Sequence, residues 1–460
     1  MDFNIKKNQL SSLLITLVLP SFCLLLYSFF GNVEVNVIIL ILIISFGLLK
    51  ILKINMSFNE NLPVEIIQNR IKHSFTRSFF YLGTFTLPFL VFRIAGLTFS
   101  DIFYLISTLL LFLLFLYQKE ITYYQINKLF YYGAIIFSIG AILSCFNSFN
   151  PLESLVKVFR VLYILFIWFN LSMYVLKSEK LVFNAFLLWL LGVSISGFVA
   201  ILQLKYMIPY TINHYGRMSS FTGHVSDFGA LTSIALVPSL ILGSNSRGIK
   251  AIIFYLFSIL IGLGVILSGS VSGFITVAVG FFVWMTIGKP NIKLILTILL
   301  LIGSIIGLFS YQESKGYVTP LSRIQSTTSD GEYGTALHRI ETYNLAWEKI
   351  KANPFVGRGY DEISNKTSNG YPVHNLFLAA LYEGGVLAFL GIIFIVLGIL
   401  YAGVQSIKNS PSKRHYDLSL ALFIAFICAL IFGMTAPLLY QRYLWIPAAL
   451  LLPLYSLSKK

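Results

Sequence analysis

The feature of this sequence that most constrains its fold is a series of apolar stretches, each about as long as a membrane is thick, that recurs through all 460 residues. A hydrocarbon core about 30 Å thick is crossed by about 20 apolar residues in an α-helix. Only 11% of the residues are charged, whereas a soluble domain has about 25%. The sequence therefore predicts an all-α, polytopic integral membrane protein that folds as a single membrane domain over residues 1–460.

Polar and turn residues divide the apolar stretches into about fourteen predicted transmembrane helices, and the linkers between them predict the orientation. The helices are expected near residues 11–30, 34–52, 78–95, 101–117, 128–146, 153–176, 181–204, 226–244, 250–267, 270–287, 291–310, 375–403, 416–433 and 436–456. Lys and Arg are concentrated in alternate linkers, for example Lys177, Lys180 and Arg247. Because such linkers stay in the cytoplasm, both termini are predicted inside and the loops 205–225 and 311–375 outside. This bias also explains the net charge of +15 without nucleic-acid binding.

Ionisable residues inside predicted membrane helices are costly and therefore mark candidate functional positions. In the predicted topology they fall at the outer ends of their helices, and they are Arg93, Asp101, Glu153, Lys157, Arg160, Asp227, Glu383 and Arg442. Glu153, Lys157 and Arg160 follow one another at i+4 and i+7, so they are predicted to share one helical face. These charges predict a polar basin in the outer leaflet; the alternative is that each side chain extends separately to the lipid head groups.

The two outer loops add the groups that would bind phosphate and transfer a proton. Arg217 lies in the first loop, and Arg339 and Tyr343 lie on a helix predicted from Thr335 to about Ala352 in the second. Guanidinium groups suit the oxygens of a phosphorylated lipid; the alternatives are a solvated helix face for Arg339 and a loop ion pair with Asp227 for Arg217. His374 is expected to have a near-neutral pKa suited to a proton acceptor; the alternative is a structural role at the membrane interface. It precedes Glu383 by nine residues, or roughly 13 Å along a regular helix, so the two are not expected to pair.

Metal catalysis is not indicated by this sequence. The loop carboxylates Asp330, Glu332, Asp361 and Glu362 occur without an HExxH motif or a Cys/His cluster, and such patterns are what usually identify a protein metal site. The prediction is therefore a metal-independent site.

The segment that begins at His338 reads HRIETYNLAWEKIKANPFVGRGY, and after a polar spacer it continues VHNLFLAALYEGG as far as Gly385. It resembles the signature region of the O-antigen ligase and O-antigen polymerase superfamily. There, a helix-borne arginine followed by Trp, an NPxxGxG-like turn and an HNxFL sequence lead to Glu-Gly in the next membrane helix. Gly216-Arg217-Met218 resembles the family's other arginine-bearing outer loop. Residues 268–273, SGSVSG, resemble its serine-rich turn but lack the arginine often found there.

This resemblance implies a bacterial enzyme of the cytoplasmic membrane whose active site faces the periplasm or exterior. It would transfer a glycan from an undecaprenyl diphosphate carrier to an acceptor hydroxyl on another glycan, a lipid A core, a protein or a wall component, in a single inverting displacement without a cofactor. Arg217 and Arg339 would stabilise the leaving diphosphate, and His374 would accept the proton.

Glu383, Tyr343, Lys157, Arg160 and Arg442 are the further candidates for binding the substrate. Whether the enzyme polymerises lipid-linked units or ligates finished chains stays open. A transporter or flippase of lipid-linked sugars is the alternative, but it predicts an internal repeat and polar or broken helices near the midplane, which the sequence does not show.

Overall fold

A computed structural model of the chain describes residues 64–94, 96–117, 126–214, 216–288, 292–317, 319, 335–436 and 439–459. Its contacts divide the chain into two units, residues 1–67 and 68–460. The first unit is described only at residues 64–67, and the helices predicted near 11–30 and 34–52 lie outside the described residues. The description below concerns the second unit.

Helices make up most of the described structure. They are α1 (Val64–Thr86), α2 (Phe99–Tyr117), α3 (Lys128–Cys145), α4 (Pro151–Leu162), α5 (Phe169–Val175), α6 (Glu179–Leu202), α7 (Val225–Asn245), α8 (Ile249–Ser268), α9 (Val271–Ile287), α10 (Ile292–Ser314), α11 (Thr335–Ala352), α12 (Leu376–Lys408), α13 (Lys413–Gly433) and α14 (Arg442–Leu457). A π-helical segment, Tyr163–Trp168, joins α4 to α5. Nine spans within the described residues are long and apolar enough to cross a membrane, which confirms the all-α, polytopic class.

Two short antiparallel hairpins interrupt the helical pattern. β1 (Arg93–Ile94) pairs with β2 (Leu97–Thr98), and β3 (Asn213–His214) pairs with β4 (Arg217–Met218). The first hairpin lies partly in the range where the sequence predicted a helix, 78–95. The structure ends α1 at Thr86 instead, because Pro88 disfavours helical geometry in the residue before it and cannot donate a backbone hydrogen bond.

The first half of α12 is fixed by close packing against α3. A Cβ added at Gly140 would lie 2.4 Å from the backbone nitrogen of Ala388, and one added at Gly391 would lie 2.4 Å from the backbone nitrogen of Phe137. The two backbones can approach this closely only because glycine occupies both positions, as is common where membrane helices pack. This contact holds the helix that carries Glu383.

Several helices begin at one end of the unit, which we call the polar end. Arg442, the first residue of α14, forms an ion pair with Asp101 in the first turn of α2. Tyr443 donates a 2.7 Å hydrogen bond to Oδ1 of Asp227 in the first turn of α7. Charges predicted to lie at one level of the membrane therefore meet in the structure.

The opposite end has its own polar contacts. The imidazole of the buried His415, in the first turn of α13, lies 3.2 Å from Glu179 at the start of α6 and 3.1 Å from the hydroxyl of Ser406 in α12. Ser412 also donates to Glu179. This network joins three helices near the basic linkers that the sequence assigns to the cytoplasm.

Candidate active site

The central feature of the polar end is a break in α12 at Gly385, where the backbone leaves helical geometry with φ 75° and ψ −174°. In a regular helix, the N–H of Val386 would donate to the carbonyl of Tyr382. Here it donates to the carbonyl of Pro354, 3.1 Å away. The carbonyls of Tyr382 and Glu383 accept instead from the backbone N–H groups of Arg358 and Gly359, at 3.0 and 2.9 Å. The NPFVGRGY turn thus replaces the hydrogen bonds that the break removes.

Two glycines let this turn approach α12 so closely. A Cβ at Gly357 would lie 2.1 Å from the carbonyl oxygen of Glu383. Gly359 has φ +97°, and a Cβ there would lie 2.1 Å from Cβ of Ser148. The glycines of the sequence motif are therefore required by the docking of the turn.

The same turn binds the connection that leads into α4. The side-chain amide of Asn147 donates to the carbonyl of Gly357 at 3.0 Å, and the N–H of Tyr360 donates to the hydroxyl of Ser154 at 2.7 Å. The N–H of Glu362 donates to the carboxylate of Glu153 at 3.0 Å. The turn therefore holds the starts of α4 and α12 together.

Glu383 lies buried just before the break, with 3% of its surface exposed. The hydroxyl of Tyr440 donates to its carboxylate at 3.0 Å, and the rings of Tyr440 and Tyr360 meet edge to face. Burial, and then the charge of Glu383, raise the pKa of Tyr440 well above its usual value, so this hydroxyl keeps its proton. Lys157, paired with Glu153 at 2.9 Å, is near enough for its charge to act on Glu383. Glu383 is therefore a buried, hydrogen-bonded group in the first part of α12.

His374 immediately precedes α12, whose cap is Asn375. The side chain of Asn375 accepts from the N–H groups of Phe377 and Leu378, both at 3.0 Å. Tyr343 of α11 donates a 2.6 Å hydrogen bond to the carbonyl of His374. Apolar side chains pack the same two helices together, namely Tyr343, Ala346, Ile350, Val373, Ala379 and Tyr382. The outer-loop helix is thus fastened to the start of α12 at His374.

Arg339 and His374 are brought together, although 35 residues separate them. Burial first, and then the positive charges of Arg339 and His224, lower the pKa of His374 from 6.5 to about 4. The near-neutral pKa expected from the sequence is therefore wrong, because the imidazole is half-buried and lies near the charge of Arg339. At neutral pH the imidazole of His374 is uncharged, and its unprotonated ring nitrogen can accept a proton.

Arg217 lies against the serine-rich turn between α8 and α9. Its Nε donates to the carbonyl of Ser268 at 2.8 Å, and a Cβ at Gly269 would lie 2.9 Å from the Arg217 side chain. The turn that lacks an arginine of its own is therefore contacted by the arginine of the first outer loop. The groups found near Asp227 are Tyr443, His224 and Arg93.

The remaining predicted site residues have separate surroundings. Arg442 is engaged by Asp101, so its charge balances a carboxylate. Arg160 is exposed, whereas Glu153 and Lys157 are half-buried beside the loop, so the three do not share one environment. Within the described residues, no cluster of three or more His, Cys, Asp or Glu side chains has a metal-binding arrangement.

Sequence reasoning missed two residues of this region. His224, whose side chain accepts from the N–H of Ser226 at the start of α7, is near enough to His374 for its charge to act there. Tyr440 binds Glu383. The sequence held only a weak signal for each of them. His224 lies in the same predicted outer loop as Arg217, and Tyr440 lies two residues before Arg442.

Comparison with known families agrees with this geometry. Residues 256–393 match a family model described as O-Antigen ligase, so the matched segment runs from α8 to α12 and includes Arg339, His374 and Glu383. A search of curated proteins found no match. Over that segment the family match confirms the resemblance predicted from the sequence, and the long apolar helices indicate a multi-pass membrane protein.

Proposed function

We propose that this chain, which carries a domain of the O-antigen ligase family, transfers a glycan from an undecaprenyl diphosphate carrier to an acceptor hydroxyl at the outer face of a bacterial cytoplasmic membrane. The observation that carries the proposal is that α11, whose Tyr343 donates to the backbone of His374, also brings Arg339 near enough for its charge to act on that imidazole. A fixed cation beside a neutral imidazole suits a reaction in which phosphate leaves and a hydroxyl loses a proton.

The donor is activated by stabilising its leaving group. As the sugar C1–oxygen bond breaks, its electron pair moves to the diphosphate, and negative charge develops on the phosphate oxygens. Arg339 presents a planar guanidinium that can bind two of these oxygens at once. Burial lowers the pKa of Arg339, but an arginine remains protonated in proteins. Arg217, on the first outer loop, is the second candidate for this role.

The acceptor oxygen attacks C1 from the face opposite the diphosphate, which inverts the configuration there. Its proton passes to His374, so the step balances without another reactant. A bound diphosphate offsets the positive charge of Arg339 and thereby raises the pKa of His374 from its ligand-free value of about 4. The base thus becomes stronger when the donor is present.

Glu383 contributes to the site through its contacts in the first part of α12. It is buried, it accepts from Tyr440, and its backbone carbonyl accepts from Gly359. These contacts favour a role in positioning the start of α12, rather than the direct contact with glycan or diphosphate suggested by the sequence.

The outer orientation is supported by the distribution of charge. Lys177 and Arg247 lie in linkers, and Lys413 begins α13, at the end opposite the candidate site, as the positive-inside rule predicts for cytoplasmic linkers. The site residues gather at one end, which favours an enzyme over a transporter, because a transporter binds its substrate near the bilayer midplane.

The test is turnover of purified protein in nanodiscs with lipid-linked glycan as the donor. Arg339→Lys keeps the charge but loses the planar fork, so we expect turnover to fall by about 10²-fold, the usual effect of removing one preorganised donor. Lys351→Arg, a charge-conserving change at an exposed position of the same helix, is the control and should behave as wild type. Undiminished turnover by Arg339→Lys would contradict the assignment.

The glycan left in a deletion strain separates the two forms of the function. A single repeat on the final acceptor indicates a polymerase, and full-length chains retained on the carrier lipid indicate a ligase.

A further inference from the structure

A cavity of about 410 Å³ lies at the polar end, beside the start of α7. Its volume falls within the range of about 300–1,000 Å³ that small-molecule sites occupy. One wall is formed by residues that come after α1 in the sequence, a second by the loop between α6 and α7, and the third by the start of α7. The lining residues are Leu90, Val91, Arg93, Tyr210, Ile212, Thr222, Gly223, His224 and Asp227. The N–H of Val91 donates to the carbonyl of Phe221 at 3.0 Å, which ties two of the walls together.

The polar side chains of this cavity include an arginine, a histidine and a carboxylate. Arg93 is held by a 2.9 Å hydrogen bond from its Nε to the carbonyl of Leu90, and it acts electrostatically on Asp227. Tyr443 occupies Oδ1 of Asp227, which leaves Oδ2 as an acceptor for a ligand hydroxyl. His224 contributes both to this cavity and to the electrostatic surroundings of His374. His224 therefore links the cavity electrostatically to the proposed proton acceptor.

The apolar part of the lining includes a tyrosine in an unusual conformation. Tyr210 has φ 65°, and 45% of its surface is exposed although its ring meets that of Phe92 at 6.2 Å. A bulky residue in this region of backbone space is strained by about 1–3 kcal/mol, and such strain is concentrated at functional positions. Tyr210 therefore presents a partly exposed aromatic ring at the cavity.

A sugar ring has the complementary chemistry. Its hydroxyl groups lie around the edge and suit carboxylate, guanidinium and imidazole partners. Its C–H groups make an apolar face that packs against the electron-rich face of an aromatic ring. An isoprenoid chain, in contrast, is a hydrocarbon and has no groups that could hydrogen-bond to Arg93, His224 and Asp227. We propose that the cavity is the binding subsite for the acceptor sugar, with Tyr210 as the stacking platform and Asp227 as the hydroxyl acceptor.

This inference rests on the proposed function and specifies which substrate the cavity takes. The acceptor hydroxyl must reach His374, and His224 connects the cavity to that residue. The diphosphate of the donor, by its charge, belongs with Arg339, which does not line the cavity. The acceptor is therefore the substrate that this position favours.

The experiment measures binding of a free glycan to the full-length protein in nanodiscs. The probe is the glycan recovered from a deletion strain, either the single repeat on the final acceptor or the chain retained on the carrier lipid, after its release. Tyr210→Gly removes the ring and relieves the strained backbone, and its thermal unfolding is measured beside that of wild type so that a loss of binding can be separated from misfolding. Tyr210→Phe retains the ring, and Tyr206→Ala is the control, because Tyr206 is 56% exposed on the same loop but does not line the cavity.

We expect wild type, Tyr210→Phe and Tyr206→Ala to bind the glycan alike, and Tyr210→Gly to bind it about tenfold or more weakly, the effect of losing one aromatic contact. Unchanged binding by Tyr210→Gly, or no binding by wild type, would overturn the subsite. The same holds if Tyr210→Gly weakens binding of glycan-free undecaprenyl diphosphate and leaves glycan binding intact, since the cavity would then hold lipid.

A parallel turnover assay separates this inference from the proposed function. Wild-type protein that binds glycan through Tyr210 but does not consume lipid-linked donor refutes the transferase and supports a glycan site. Protein that consumes donor while Tyr210→Gly binds glycan normally refutes the subsite alone.

Discussion

Gly357→Ala tests whether the NPFVGRGY turn holds the break in α12. Gly357 does not have a positive φ, so alanine meets no backbone strain there, and any effect must come from contact. Its methyl group would lie 2.1 Å from the carbonyl oxygen of Glu383 and 2.4 Å from the nitrogen of Gly384. Both are backbone atoms of a buried segment that cannot rotate away, so the turn itself must move.

The size of the effect follows from these distances. Relief of the clash requires the turn to retreat by about 1 Å, which would stretch the hydrogen bonds from Arg358 and Gly359, now 3.0 and 2.9 Å, to about 4 Å. The carbonyls of Tyr382 and Glu383 would then lack partners in a buried site. Each unsatisfied group costs about 1–3 kcal/mol, so the free energy of unfolding should fall by about 2–6 kcal/mol.

The control for this substitution is Gly370→Ala in the same outer loop. Gly370 has φ +80° and no atom within 4 Å of an added Cβ, so alanine there costs only the left-handed conformation, about 1–2 kcal/mol. Unfolding of both variants would be followed by tryptophan fluorescence during titration with SDS in mixed micelles. If Gly357→Ala is no less stable than Gly370→Ala, the turn does not support the break and the reasoning fails.

Two further predictions concern the base, and a third concerns the orientation. His374→Ala should lower turnover by about 10²–10⁴-fold, while the exposed His338→Ala should not; equal activities would remove His374 from the mechanism. Because the pKa of His374 is lowered from 6.5 to about 4, kcat/KM should stay flat as pH falls from about 8 to about 5, and an acidic limb centred near 6.5 would contradict this environment. In a cysteine-free background, Ser368→Cys should react with an impermeant thiol reagent added outside, and Asn409→Cys should not; the reverse pattern would invert the topology.

The helices could be predicted from sequence because their signals are local. Apolar runs gave α7 and α8 to within a residue at each end, since 226–244 and 250–267 became Val225–Asn245 and Ile249–Ser268. The error at α1 arose where a run of apolar residues continued past Pro88 and hid the end of the helix. Hydropathy describes which solvent a segment prefers, and it does not describe backbone geometry.

The candidate site was predictable in its residues but not in its contacts. Arg339, Tyr343 and His374 were identified from residue type and position, yet the break at Gly385 was not, because its hydrogen-bond partners lie about 30 residues earlier in the chain. The pairing of Arg442 with Asp101 likewise joins helices from distant parts of the sequence. Such pairings depend on the tertiary arrangement, which no local pattern contains.

The contacts of α11 also determine how substitutions at Arg339 should be interpreted. Arg339 and Tyr343 are four residues apart on α11, so they share one face of that helix, and Tyr343 donates to the backbone of His374. A diphosphate that binds Arg339 therefore binds the same helix that positions the base. Loss of the Arg339 side chain would change both the charge available to the donor and the packing that holds α11 against α12. Arg339→Lys retains most of the aliphatic stem and the charge, so the loss that it causes reports on the guanidinium fork, whereas the loss in Arg339→Ala would combine the fork with the displacement of His374.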